Sequence, residues 1–208
     1  MGWPDPSWDQ TVLITATKRD DAKAELAWAL AITASRFGQR VLLVDFDLRD
    51  PLSHAFHEYF GVAMGAATLA DLAGQQCSLA NAIDSFEEIG VDYLRSGSDR
   101  IGLLTLSSAR NIKRVLEELN AQYSLIILNG PSVTDGPDVF LLANCAHEIL
   151  FSWRWRITRK NVARKALELF MSIPGTTRAI RSVLMQVDLK KKMLFEDADT
   201  RDLLRTSS

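Results

Sequence analysis

Lys23 stands where an ammonium group could hold a phosphate. It follows the apolar run Val12, Leu13, Ile14 and opens a stretch rich in Ala and Leu, the strand–loop–helix position of a phosphate-binding P-loop. Such a loop needs glycines so that backbone N–H groups can wrap the phosphates, a lysine on the β/γ-phosphates, and a Ser/Thr hydroxyl on Mg²⁺. Residues 15–24 read Thr-Ala-Thr-Lys-Arg-Asp-Asp-Ala-Lys-Ala. The lysine is kept, but Asp20 and Ala22 occupy glycine positions and Ala24 replaces the hydroxyl. Asp20 and Asp21 put two carboxylates where an anion would sit. Near a helix start, either could instead accept the free N–H groups and cap the helix.

Two more segments carry chemical groups. Residues 41–45 form an apolar run closed by Asp45, with Asp47 two positions on. Carboxylates at the end of a buried strand can hold Mg²⁺ or orient a nucleophile; equally, they can pair with Lys23 and Arg49 as a structural network. The second apolar run, 125–128, ends in Asn129-Gly130-Pro131. An active phosphate-transfer site places an Asp there. Asn129 is neutral and suits a hard divalent cation poorly, so hydrogen bonding to a backbone turn is its expected role.

The elements that must position these groups alternate. Strands are expected at 12–15, 41–45, 91–94, 125–128, 148–155 and 179–187, and helices at 22–36, 69–72, 79–83, 109–122, 139–143 and 161–171. Repeated β-α-β order with continuous apolar strands predicts a parallel sheet covered on both faces. The segment Trp153-Arg154-Trp155-Arg156 alternates, so on a strand both tryptophans share one face. Arg159, Lys160, Arg164 and Lys165 make the following helix basic, which reads as a solvated face or as a contact for an acidic partner or lipid.

Composition bounds the class. The chain has 208 residues, 47% hydrophobic and 24% charged, with net charge −2. That suits one globular α/β domain over 1–208, with a polar tail at 196–208 that frays. The balance gives no general attraction to nucleic acid. No apolar run reaches the roughly 18 residues of a membrane span, so no direct membrane insertion is expected. Cys77 and Cys145 are isolated and lack metal-ligand spacing. The expected address is cytoplasmic.

Several stretches together resemble the cytoplasmic domain of bacterial tyrosine kinases (BY-kinases) of exopolysaccharide and capsule export, in the MinD/ParA-like branch of P-loop ATPases. "VLLVDFDLRDPLSHAF" is similar to the family's hydrophobic strand followed by D-x-D-x-R-x-P. "TLADLAGQQCSLANAI", "LSSARNIKRVLEELNAQYSLIIL", "EILFSWRWRITRKNVARKALELF" and "SVLMQVD" resemble its later elements in order. The resemblance implies a three-layer P-loop NTPase-like fold with a mostly parallel central sheet. It assigns Lys23, Asp45 and Asp47 to a vestigial nucleotide site, and places Lys18 at the branch's signature lysine. Asp20, Ala22, Ala24 and Asn129 match lost functional positions, and Met185 falls where the family has an Asn that contacts the base. The tail "DTRDLLRTSS" lacks the family's tyrosine cluster, and the family's oligomerisation helix does not precede the first strand.

Taken as implied by that resemblance, the chain is a catalytically degenerate, pseudokinase-like protein. It is expected to partner the cytoplasmic end of a membrane polysaccharide co-polymerase in exopolysaccharide, capsule or holdfast export, peripheral to the inner membrane through that partner. No catalytic residue, no metal and no cofactor are expected, and the assembly is a monomer or dimer. The alternative is a divergent ATP-binding tyrosine autokinase or ATPase using Lys23, Asp45 and Asp47 with ATP and Mg²⁺. A MinD/ParA-like positioning factor is the third reading, weakened because such proteins cycle on ATP-dependent dimers.

Overall fold

The computed structural model describes residues 10–19, 21–47, 52, 67–97, 109–172 and 179–188. Seven strands form one sheet in the order β3-β4-β2-β5-β1-β6-β7. They are β1 (Gln10–Ala16), β2 (Val41–Asp45), β3 (Asp84–Phe86), β4 (Val91–Leu94), β5 (Leu125–Asn129), β6 (Glu148–Arg154) and β7 (Ala179–Met185). Every pairing is parallel except β3 with β4. The helices are α1 (Lys23–Arg36), α2 (Leu69–Ala73), α3 (Leu79–Ala82), α4 (Ala109–Asn120), α5 (Asp138–Cys145) and α6 (Lys160–Met171). The architecture expected from the sequence, a mostly parallel sheet between helical layers, is therefore present.

Alternation along the strands sorts the core onto two faces. Leu42, Val44, Ile126 and Leu128 join one cluster with Ile112 and Leu116 of α4, Leu142 of α5 and Phe170 of α6. Val41, Leu43, Leu125 and Ile127 join the other with Ala27, Ala31 and Ala34 of α1. Small residues on α1 let that helix lie close to the sheet. β2 and β5 are buried at every position, as strands covered on both faces must be.

Three expectations change. β3 was not foreseen; it is three residues long, too short for a pattern to emerge. β6 ends at Arg154, so Trp155 lies in the following turn, where Arg156 has φ 60°. The two tryptophans therefore do not share a strand face: Trp153 donates its indole N–H to Ser182 Oγ at 2.6 Å, while Trp155 carries the Arg156 guanidinium over its ring at 5.5 Å. The tail 196–208, Asp20, Arg49 and Tyr59 lie outside the described residues.

Candidate functional site

β1, β2 and β5 lie side by side, and their C-terminal ends carry Ala16, Asp45 and Asn129. This is where an open α/β sheet gathers ligand-binding groups. α1 starts there too, with Lys23 as its first residue. Lys23, Asp45, Asp47 and Asn129 are all fully buried. Lys23 Nζ lies 2.6 Å from Asp47 Oδ2. The lysine thus meets a carboxylate where a phosphate oxygen would otherwise neutralise it.

Asp45 is held by four donors. Asn129 Nδ2 reaches one carboxylate oxygen at 2.9 Å, and the Asp47 N–H reaches the same oxygen at 3.1 Å. The Leu52 N–H and the Tyr93 hydroxyl reach the other at 2.8 and 3.1 Å. Burial raises the Asp45 pKa to about 6; the bonds from Asn129, Asp47 and Leu52 oppose that rise, and the nearby Asp47 charge adds to it. Asn129 therefore does not bond a backbone turn as expected. Its amide faces a carboxylate, because the β2–β5 register sets Asp45 directly opposite it.

Tyr93 was not legible as part of the site. Its strand position is opposite Leu43, so it shares a face with Asp45 two residues on. Burial, then the Asp45 charge and hydrogen bond, push its phenol far above the ordinary range. The other described tyrosine, Tyr123, donates to Asp92 at 2.7 Å and is also shifted upward, first by burial.

The loop itself is clamped from both sides. Asp21, fully buried, accepts the Lys18 N–H at 3.2 Å and the Thr158 hydroxyl, while its carbonyl accepts the Ser152 hydroxyl. Arg19 pairs with Asp135 at 3.4 Å, and Thr17 accepts the Thr134 N–H through its carbonyl at 3.3 Å. Lys18 is half-buried and closes the turn with its own carbonyl, which accepts the Asp21 N–H. The expectation that Asp21 caps α1 is overturned: no side-chain cap bond is made, and the cap position is Ala22. Ala22 has φ 58°, a left-handed turn between Asp21 and the helix, and the carboxylate reaches back to Lys18 instead. That conformation favours glycine. Ala22 thus carries a side chain in a conformation suited to glycine, at a cost of roughly 1–2 kcal/mol.

The lysine that a phosphate loop turns toward its ligand lies on Asp47, the amide of Asn129 donates to Asp45, and Ala24 offers no hydroxyl. Among the described residues no group of three or more His, Cys, Asp or Glu is placed to hold a metal. One observation points the other way: the hydroxyls of Thr17 and Ser132 are buried without a hydrogen-bond partner. Met185 ends β7, half-buried, its carbonyl accepting the Trp155 N–H.

No protein-family model matches the chain. The tyrosine-protein kinase YwqD of Bacillus subtilis is 29% identical over 160 residues, covering 76% of this chain and 65% of the relative. The putative tyrosine-protein kinase EpsB of Ralstonia nicotianae is 25% identical over 162 residues, 78% of this chain but only 21% of the relative. The chain thus spans less than two thirds of either. Among solved structures, the kinase domain of Escherichia coli tyrosine kinase ETK superposes with TM-score 0.75 at 21% identity, covering 86% of this chain and 68% of that one. The septum site-determining protein MinD of Pyrococcus horikoshii, complexed with Mg-ADP, gives 0.68 at 21% identity, covering 84% and 69%. The resemblance read in the sequence holds: the relatives are bacterial tyrosine-protein kinases, and the fold is that of BY-kinase domains and MinD-like P-loop ATPases.

Proposed function

We propose that this chain is a BY-kinase-like domain that has given up phosphoryl transfer and serves as a cytoplasmic partner or regulator of a membrane polysaccharide co-polymerase in exopolysaccharide, capsule or holdfast export. The observation that carries the first half is the buried Lys23–Asp47 ion pair. A lysine at this position acts on phosphate only if its ammonium is available. Here a ligand would have to displace a carboxylate at 2.6 Å in a fully buried site, and breaking one partner from a buried pair costs about 3–5 kcal/mol. Asp45 is engaged by four donors and would lose them to serve a metal or a nucleophile. With no nucleotide required, the fold is a platform, and the partner role follows from the resemblance to kinases of polysaccharide export. No helix among the described residues is long and apolar enough to cross a membrane, which suits a peripheral role.

A second reading, a divergent ATP-binding autokinase or ATPase, is favoured by the unpartnered hydroxyls of Thr17 and Ser132 and by the retained left-handed turn at Ala22. A fluorescent-ATP titration with and without Mg²⁺ separates the two. The expected result is no saturable, Mg²⁺-dependent binding at millimolar nucleotide. Saturable binding lost in Lys23→Met would make the kinase reading lead. Incubation with Mg·ATP followed by an anti-phosphotyrosine blot is expected to be blank. Affinity purification from the native host tests the partner: recovery without any membrane protein of polysaccharide export would remove that half of the proposal.

A further inference from the structure

We infer that the β6–α6 turn and the outer side of α6 form a docking surface for an anionic lipid bilayer. Two independent distributions meet there. Six of the chain's 24 Lys and Arg residues fall between 154 and 165, and no Asp or Glu occurs between 149 and 167, in a chain whose net charge is −2. Five of the six, Arg156, Arg159, Lys160, Arg164 and Lys165, are exposed. Arg164 pairs with Glu168 one turn on, at 3.7 Å, with both side chains largely exposed. The second distribution is apolar. Five large hydrophobic side chains are exposed among the described residues, and four of them lie on this segment: Ile157 at 52%, Val162 at 40%, Leu169 at 48% and Met171 at 72%. Core packing does not account for them, because α6 faces the sheet with Ala163, Ala166 and Phe170.

Geometry selects the occupant. Val162, Lys165 and Leu169 fall at helical spacings of three and four, so apolar and basic groups share one outer flank of α6. Ile157 sits in the turn just before, beyond the left-handed Arg156. An acidic peptide helix would need a recess in which to seat its anchors. Single aliphatic side chains that protrude among cations suit an interface in which acyl boundary and phosphate lie in one plane. Each Lys or Arg brought to an anionic surface strengthens binding by about fivefold. The turn touches the loop before α1 through the buried Thr158, whose hydroxyl donates to Asp21, but the exposed cations and aliphatic groups take no part in that bond, so vesicle binding is tested separately from phosphoryl transfer.

The test is co-sedimentation of the full chain with phosphatidylcholine vesicles that contain or lack phosphatidylglycerol. Binding is expected only to the anionic vesicles, and raising salt to about 1 M, where screening acts within about 3 Å, should release it. Lys160→Gln/Arg164→Gln/Lys165→Gln should weaken partitioning by about a hundredfold, and Ile157→Ser severalfold. Arg36→Gln/Arg40→Gln, which removes two exposed cations at the far end of α1, should bind as wild type. All these positions are exposed, and unchanged circular-dichroism melts establish that each variant is folded. Partitioning to neither vesicle, equal partitioning to both, or undiminished binding by the triple variant would overturn the inference.

Discussion

Replacing Lys23 by Met asks what the lysine is for. In a working phosphate loop it waits for a ligand, and its loss costs binding more than folding. Here both side chains of the Lys23–Asp47 pair are 0% exposed and 2.6 Å apart. Their attraction is about 6 kcal/mol at an effective dielectric of about 20, part of which is offset by the desolvation of the ammonium. Removing the cation strands a buried carboxylate, at a net cost of about 3–5 kcal/mol. For a chain of this size, 3–5 kcal/mol corresponds to a fall in melting temperature of about 6–20 °C. Urea denaturation of wild type and Lys23→Met at pH 7 measures the loss. The companion Lys23→Met/Asp47→Leu removes both charges and should recover most of the loss. A Lys23→Met variant within about 1 kcal/mol of wild type at pH 7, with an unchanged m-value, would refute the claim that the lysine is structural.

Other outcomes follow from the same geometry. Ala22→Gly should raise stability by about 0.5–1 kcal/mol, since relief of left-handed strain exceeds the added freedom of the unfolded chain; a loss of more than 1 kcal/mol in urea melts would show the strain is absent. Wild-type stability should fall as pH rises from about 4 to about 6, because folded Asp45, raised to about 6, still holds a proton that the unfolded chain has released; the full cost above that window is about 3 kcal/mol. A pH-stability profile that rises through the window would contradict this. Asn129→Asp places a second carboxylate against Asp45 and should destabilise more at pH 8 than at pH 5, where one of the two takes a proton; equal effects at both would sink the assignment.

The sequence carried the sheet well because its evidence is local. Continuous apolar runs at β2 and β5 and the β-α-β order need no long-range information. The partner of Lys23 was narrowed to two acids by charge alone, and the fold selects Asp47. What escaped was decided across strands. Tyr93 reaches Asp45 through a register that no pattern in either strand announces. Asp21 looked like a helix cap because it precedes the helix by two residues, but the left-handed Ala22 and the distant Thr158 hydroxyl drew it elsewhere. Trp155 was placed on a strand that stops one residue earlier, since a reversal at Arg156 leaves no mark in an alternating Trp/Arg run.

Asp45 and Asn129 face each other across the β2–β5 ladder, and this has a consequence for assembly. The two strands are uniformly apolar up to those residues, so hydrophobic burial alone scarcely distinguishes one alignment from the next. A slip of one residue would set Leu128 or Gly130 against Asp45 and leave a buried carboxylate short of a donor, a cost of about 1–3 kcal/mol or more for a charged group. The polar pair therefore works as a key at the centre of the sheet: it adds little to the depth of the native well but raises the floor of its nearest competitor. On this account the residues at this site act in choosing which sheet forms.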